Sequence, residues 1–395
     1  MPTLALIAAW CGFAALLLST AYWLFAFFAA FRIFARVQVV SELLPRSQAR
    51  WPKVALIIPA CNEEAAIEEA VQSKLADGYP NLEVVLVNDR STDRTGEIAE
   101  RLASGDPRIR VIHVRELPEG WLGKVNAMQR GVEATDGEWV LLSDADVHLA
   151  PGTLQRIVGA AEERGLELAA CLPDLWPTTF LLDVALCTFI RFFCIAARLW
   201  GVDNPKSTAC CGVGAFNLVR RTALARIGGL EQLKLTVVDD VALGQLLKRD
   251  GARCAAFNGR GCVGLHFYRT LGEMARGTEK NVPALGYFNL GRLLWRTVVF
   301  LIVETTPFVA VWLTTGWMQA ATAAVIGLAL ATQLLFCRWM RRPLVPALFS
   351  PIGALIFAVV VVRAGVLEAW RGGIMWRGTL YPTAQLKSEQ RFEFM

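Results

Sequence analysis

Three histidines in 395 residues, and ten cysteines with no Cys-x-x-Cys spacing among them, leave little material for a zinc site or a disulfide framework. The cysteines, Cys210-Cys211 included, read as reduced packing residues, and His113, His148 and His266 are scattered along the chain. Internal repeats and low-complexity linkers are missing. Net charge is only +5, which arginines beside apolar runs account for, so nucleic acid is not expected as a partner. Charge is absent altogether from residues 3–31, and no Lys or Arg precedes that run, which argues against a cleavable signal peptide.

Apolar residues are what the chain has in excess: 54% of the sequence is hydrophobic, too much for an ordinary soluble enzyme. The excess lies at the two ends. Residues 1–32 are expected to form a transmembrane anchor, crossing with some tilt. Arg32, Arg36, Arg46, Arg50 and Lys53 follow it, so the N-terminus should face out and the next domain the cytoplasm. Residues 297–367 hold three more apolar stretches, at 297–316, 318–337 and 344–367, with the basic knot Arg338-Trp339-Met340-Arg341-Arg342 between the last two. The third either crosses the bilayer or re-enters around Pro351 and Gly353. In the second case the tail, residues 368–395, returns to the catalytic side. Glu304, inside an apolar run, is either a buried functional carboxylate or a sign that the span is displaced. Residues 180–200 place Asp183, Arg191 and Arg198 on one strip, which suits an interfacial helix beside a cleft or a core helix.

Between these ends, residues 50–285 read as a cytoplasmic α/β domain. Three β-branched or apolar runs, at 53–59, 84–87 and 109–113, each lead through a polar loop into a helical pattern, and Val140-Leu141-Leu142 is a fourth strand. Strands alternating with helices at this spacing imply right-handed βαβ crossovers and a Rossmann-like, mostly parallel sheet. Ligands of such sheets sit at the carboxyl ends of the strands. Asn62, Asp89, Lys124, Asp144 and Asp146 therefore share one rim.

Asp144-Ala145-Asp146 delivers two carboxylates one residue apart at a strand end. Hard divalent cations, Mg²⁺ or Mn²⁺, take such oxygen ligands and share them with substrate phosphates, although a lone Asp-x-Asp also suits an ordinary turn. Lys124 can add positive charge for phosphates or be a solvated first-turn lysine. Asp89 can contact a ligand or close an Asx-turn. Asp239-Asp240 can be functional or cap a helix. His148, just after the acidic pair, is either a third metal contact or a loop residue.

Taken in order, Pro59-Ala60-Cys61-Asn62-Glu63, Asp89-Arg90-Ser91-Thr92-Asp93, Asp144-Ala145-Asp146 and Val238-Asp239-Asp240 resemble the family 2 glycosyltransferases with a GT-A fold. Gly120-Trp121-Leu122-Gly123-Lys124 and Asn204-Pro205-Lys206-Ser207 are similar to its membrane-bound branch of hopanoid-associated, carotenoid and ceramide glycosyltransferases. The resemblance implies a nucleotide-sugar donor, a UDP-hexose, bound by Pro59, Ala60, Asn62, Glu63, Asp89, Lys124, Asp144 and Asp239. It implies a metal on Asp146, with Asp144 beside it and His148 the candidate third contact named above, and Asp240 as the base that deprotonates the acceptor. Trp121, Cys211, Gly212, Trp376 and Arg377 would lie on the acceptor side, for a lipid at a bacterial-type inner membrane. The family usually has Glu where Asp239 stands. A Gln-x-x-Arg-Trp motif, common in processive synthases of this family, is missing, which lowers the case for a secreted polymer; a catalytically silent membrane scaffold that keeps the fold is the remaining alternative.

Overall fold

The computed structural model describes residues 2–44 and 50–390; Arg46 and the last residues of the tail lie outside them. Helix α1 (Pro2–Arg36) runs into β1 (Gln38–Val39), and the domain then alternates: β2 (Val54–Ala60), α2 (Ile67–Leu75), β3 (Leu82–Asp89), α3 (Thr95–Gly105), β4 (Ile109–Val114), α4 (Gly123–Glu133) and β5 (Trp139–Leu142). It continues through β6 (His148–Leu149), α5 (Thr153–Arg164), β7 (Leu168–Leu172), β8 (Asp174–Leu175), α6 (Phe180–Ala196), β9 (Asn217–Arg220), α7 (Arg221–Arg226), α8 (Asp239–Arg249), β10 (Cys254–Asn258), β11 (Val263–Leu265), α9 (Leu271–Gly277) and α10 (Asn281–Leu285). The C-terminal part comprises α11 (Leu290–Leu313), α12 (Gly316–Trp339), α13 (Leu344–Ala347), α14 (Ser350–Arg371), β12 (Gly373–Trp376), β13 (Thr379–Pro382) and α15 (Thr383–Glu389).

The main sheet has the order β1-β10-β7-β9-β5-β2-β3-β4. Every neighbouring pair is parallel except those made by β9, which runs antiparallel to both β5 and β7. Helices cover both faces, so β2 is buried at all seven positions, and this is why its sequence is a continuous apolar run rather than an alternation. The α/β class and mostly parallel sheet expected from the sequence are observed. The loops after β2, β3 and β5 open on one rim, as the βαβ pattern requires.

Among the described residues, five helical segments are long and apolar enough to cross a membrane: Ala9–Arg36, Phe180–Gly201, Leu290–Leu313, Gly316–Trp339 and Ser350–Arg371. Polar groups hold several of them together. Pro307 of α11 has no N–H to give to Val303, four residues back, and that freed carbonyl instead accepts bonds from Ser19 Oγ (2.6 Å) and Trp23 Nε1 (3.1 Å) of α1. Arg191 of α6, fully buried, gives two bonds to Glu304 of α11 (2.8 and 2.7 Å) and one to Gln333 of α12 (2.7 Å), and also bonds the Tyr22 hydroxyl. Glu304 is thus the counter-charge of a buried arginine. The strip Asp183–Arg191 faces other helices, with Asp183 bound to Arg342 at 2.5 Å, and only Arg198 of the three is exposed. A headgroup-facing polar strip is therefore not what these charges form.

The third C-terminal stretch is the short helix α13 followed, from Ser350, by α14, which is unbroken. Pro351 sits in its first turn, where the missing N–H costs no bond, so it starts α14 and does not kink it. Both ends of α14 nevertheless rest on the rest of the protein: the Ser350 carbonyl lies 3.4 Å from Thr188 Oγ1 of α6, and Arg371 pairs with Glu279 at 2.8 Å. The β12–β13 hairpin then returns to the catalytic rim.

Candidate active site

Two adjoining loops are tied together first. Asn62 has a left-handed backbone (φ 59°), a conformation asparagine tolerates better than most residues. Its side-chain oxygen accepts from the Thr92 N–H at 2.8 Å, while its own N–H donates to Ser91 Oγ at 3.0 Å. Glu63 and Glu64 donate their N–H groups to Thr95 Oγ1 and Asp93 Oδ2. Asn62 is thereby a clamp between the loops after β2 and β3, with its amide oxygen already occupied. Asp89 is buried at the end of β3, and both its oxygens are held by Arg90 (2.8 and 3.0 Å), itself at φ 55°. An Asp89 contact to a base or ribose requires Arg90 to share that carboxylate.

Lys124, in the first turn of α4, is not solvated. Its ammonium lies 2.7 Å from Asp144 and 3.8 Å from Asp239, and 16% of its side chain is exposed. Burial opposes its charge, but Asp144, Asp239 and Asp240 hold its pKa well above the usual lysine value. Reciprocally, although burial pushes Asp144 up, Lys124 keeps that carboxyl below its ordinary pKa. Asp239 goes the other way, raised to about 6 by burial against the pull of Lys124.

Asp240, at the start of α8, is oriented by backbone donors: Gly214 N–H to Oδ2 and Val241 N–H to Oδ1, each 2.8 Å. Gly214, in the small-residue loop 208–216 that the sequence suggests for the acceptor side, is instead a hub between the acidic residues and Lys124. A Cβ there would lie 2.9 Å from Asp144 Oδ2, 3.3 Å from the Lys124 ammonium and 3.5 Å from Asp240 Oδ2, and its carbonyl accepts from the Asp144 N–H. Gly212 is equally obligatory, because a Cβ would collide with the Asp240 backbone.

Asp146 has a different environment. Its carboxylate makes no ion pair among the described residues, and burial, followed by repulsion from Asp144, raises its pKa to about 6. Nearby Glu63 is raised to about 7, by burial and then by Asp146 and Asp144, with Arg377 at 3.2 Å opposing. Carboxylates that destabilise one another's charge fit a divalent cation held by Asp146 with Asp144. Among the described residues no group of three or more His, Cys, Asp or Glu gathers to hold an ion, so the remaining ligands would have to come from elsewhere, as diphosphate oxygens do. His148 does not complete a set: its ring packs on Trp176, centroids 5.0 Å apart, because β6 pairs with β11 and directs it there.

Two further cations escaped sequence reasoning. Lys74 of α2, with 0% exposure, donates to the Asp144 carbonyl at 3.0 Å; burial lowers its pKa to about 8 against Asp146 and Asp144. A lysine at a core position of an amphipathic helix was the available signal. Lys280, after α9, sits 4.2 Å over the Trp376 ring and is lowered to about 8 by burial and Lys124.

Among the described residues, Asp240 is the one shared by two cavities. On one side it lines a small pocket with Pro59, Lys124, Asp144, Gly214 and Asp239. On the other it faces a cavity of about 1130 Å³ with Cys211 and Gly212. Trp121, Trp376 and Arg377, expected on the acceptor side, do not line that cavity. Trp121 lies under Lys234, 6.0 Å from its ring centre, and Arg377 pins the hairpin to Glu63 of the loop after β2.

Comparison with known proteins places this arrangement. Residues 55–228 match the model for "Glycosyl transferase family 2", a match that stops before Asp239 and Asp240. An uncharacterized glycosyltransferase, EpsJ, of Bacillus subtilis is 37% identical over 120 residues, 30% of this chain and 33% of that protein. Beta-monoglucosyldiacylglycerol synthase of Synechocystis is 35% identical over 207 residues, 50% of this chain and 40% of that protein. The chain thus spans well under half the length of these relatives. Among solved structures, the mannosyltransferase PcManGT from Pyrobaculum calidifontis, in complex with GDP-Man and Mn²⁺, aligns with a TM-score of 0.56 over 91% of this chain and 99% of that one, at 19% identity, which is a likeness of fold. With a GT-A-like sheet and this match, residues 55–228 are a glycosyl transferase family 2 domain.

Proposed function

We propose that this protein is an inverting glycosyltransferase that moves one sugar from a nucleotide-sugar donor, a UDP-hexose, to a hydroxyl or carboxyl of a lipid at the cytoplasmic face of a bacterial inner membrane. The observation that carries this reading is Asp240, the carboxylate common to a charged pocket and a large cavity that continues into the apolar helices. The small pocket's Lys124 and Asp144 belong with a phosphate-bearing donor. The similarity to a glucosyldiacylglycerol synthase supports a lipid on the other side.

In this mechanism Gly214 and Val241 aim the Asp240 carboxylate through their N–H groups. Asp240 accepts the proton of the acceptor oxygen as that oxygen bonds to the anomeric carbon. The bond from that carbon to the diphosphate breaks, its electron pair leaving with the nucleoside diphosphate, and attack from the opposite face inverts the centre. Lys124 stabilises the charge gathering on the leaving group. A Mg²⁺ or Mn²⁺ on Asp146 and Asp144, when bound, would supply Lewis-acid neutralisation of the same diphosphate.

The membrane reading follows from where helix ends lie. Helix α6 leaves from β8 and returns to β9, which pairs with β7, so both its flanks are in one domain. Helix α14 starts against α6, where Ser350 meets Thr188, and ends at Glu279 beside α9. A helix with both ends on one side cannot cross, which leaves α1, α11 and α12 as the crossings and α6 with α14 as a pair lying along one leaflet. Radiolabelled UDP-sugars, Mg²⁺ or Mn²⁺ and bacterial lipid extract, incubated with detergent-solubilised protein, should put label into a discrete organic-phase product of inverted anomeric configuration. Label confined to a water-soluble polymer would refute the reading.

A further inference from the structure

The large cavity has two chemically different ends. One wall is aromatic: Phe189, Phe192 and Phe193 of α6, Phe267, and Phe357 of α14. These rings touch one another, Phe189 stacking on Phe267 with centroids 5.9 Å apart, and Phe192 and Phe357 both contact Phe300 of α11. The wall is therefore continuous with the helices that face lipid.

The rest of the lining is strongly basic. Arg198, Lys206, Lys248, Arg292 and Arg296 all face the same space, whereas Asp240 is the only carboxylate lining it among the described residues. None of the five makes an ion pair with a described carboxylate. Their bonds are to neutral groups: Arg198 to the Thr208 hydroxyl at 3.0 Å, Lys248 to the carbonyls of Val202 and Asn204 at 2.7 and 2.9 Å, Arg296 to the Leu285 carbonyl at 2.7 Å. The Arg292 guanidinium lies over the Tyr287 ring at 4.8 Å. Like charges around one space repel, so the arrangement is complementary to an anion that enters with its apolar part against the phenylalanines.

We infer that the acceptor is an anionic amphiphile, a lipid whose headgroup carries a phosphate as well as the hydroxyl that receives the sugar. This rests on the glycosyltransferase reading and narrows its acceptor from lipids in general to phosphate-bearing ones. The phosphate is a handle and takes no part in bonding changes: the headgroup oxygen bonds to the anomeric carbon, the diphosphate leaves with the bonding pair, and the proton passes to Asp240. Arginine and lysine at the mouth hold the phosphate by charge-assisted hydrogen bonds, while the acyl part lies on the aromatic wall.

The test offers the full-length protein, in uncharged detergent with labelled UDP-sugar and Mn²⁺, three probes: dioleoylphosphatidylglycerol, dioleoylglycerol and water-soluble glycerol 3-phosphate. Native mass spectrometry reads lipid retention in parallel. The inference expects transfer to phosphatidylglycerol at least about tenfold above dioleoylglycerol, with the preference weakening as salt rises. A Lys206→Gln/Arg292→Gln variant that melts like the parent should lose most of both that preference and lipid retention, and Arg292→Lys should keep most of it. Equal use of the two lipids, indifferent to the double variant, would overturn the inference and leave the glycosyltransferase reading standing. Glycerol 3-phosphate serving as well as the lipid would overturn the amphiphile. Phosphatidylglycerol retained but never glycosylated, while dioleoylglycerol is, would mark the basic mouth as a bilayer contact and overturn it too. No label in any acceptor would overturn both readings.

Discussion

At the scale of single residues, the site is a balance of buried charges. Asp146 needs its ionised form to bind a metal, and its pKa of about 6 lies well above the ordinary 3.8. The proton and the cation therefore compete: Mn²⁺ affinity should be flat above pH 7 and fall by about tenfold per pH unit well below 6, measured by titration of donor binding or metal-dependent fluorescence. An affinity unchanged between pH 7 and 5 would remove Asp146 from the metal site. Gly214→Ala places a methyl within 2.9 Å of Asp144 and disturbs the donor to Asp240. Its turnover should drop by about a hundredfold while the melting temperature changes little. The motifs made Asp144, Asp146 and Asp240 legible in the sequence. Gly214 and Lys74 were not, because their roles depend on which loop and helix the fold brings beneath the acidic pair.

At the scale of elements, hydrophobic periodicity and turn chemistry gave the βαβ order and the rim, since a parallel sheet buried on both faces imposes long apolar runs on its strands. The helices at 180–200 and 344–367 were harder. An apolar run of that length is the same string whether it crosses a bilayer or lies along a domain, and only the placement of its ends separates the two. Arg191 shows the same limit. Its strip suggested an exposed face, yet its partner Glu304 lies 113 residues away on another helix. Breaking that buried pair with Arg191→Ala or Glu304→Gln should destabilise the bundle by about 3–5 kcal/mol, whereas replacing both by apolar residues should cost far less. Thermal unfolding in detergent distinguishes these, and a double-variant loss equal to the sum of the two single losses would show that the pair is not coupled.

At the scale of the whole molecule, the domain that holds residues 55–228 sits on a helical platform that supplies one wall of the large cavity. The proposed topology, with α1, α11 and α12 as the crossings among the described residues, puts the turn between α11 and α12 and the β12–β13 hairpin on opposite sides. Single cysteines placed at Thr315 and at Arg377, in a background lacking other reactive thiols, should label from opposite faces of sealed vesicles. Labelling from the same face would make α14 a true span and refute the proposed topology.

The central claim is that Asp240 joins donor and acceptor as the base. Asp240→Asn keeps the shape but removes the proton acceptor. Donor binding and single-turnover transfer should be measured together on this variant and the parent. The account predicts a donor dissociation constant within a few fold of the parent and transfer slowed by about 10²–10⁴-fold. Transfer at the parental rate, or loss of donor binding with the same variant, would contradict it.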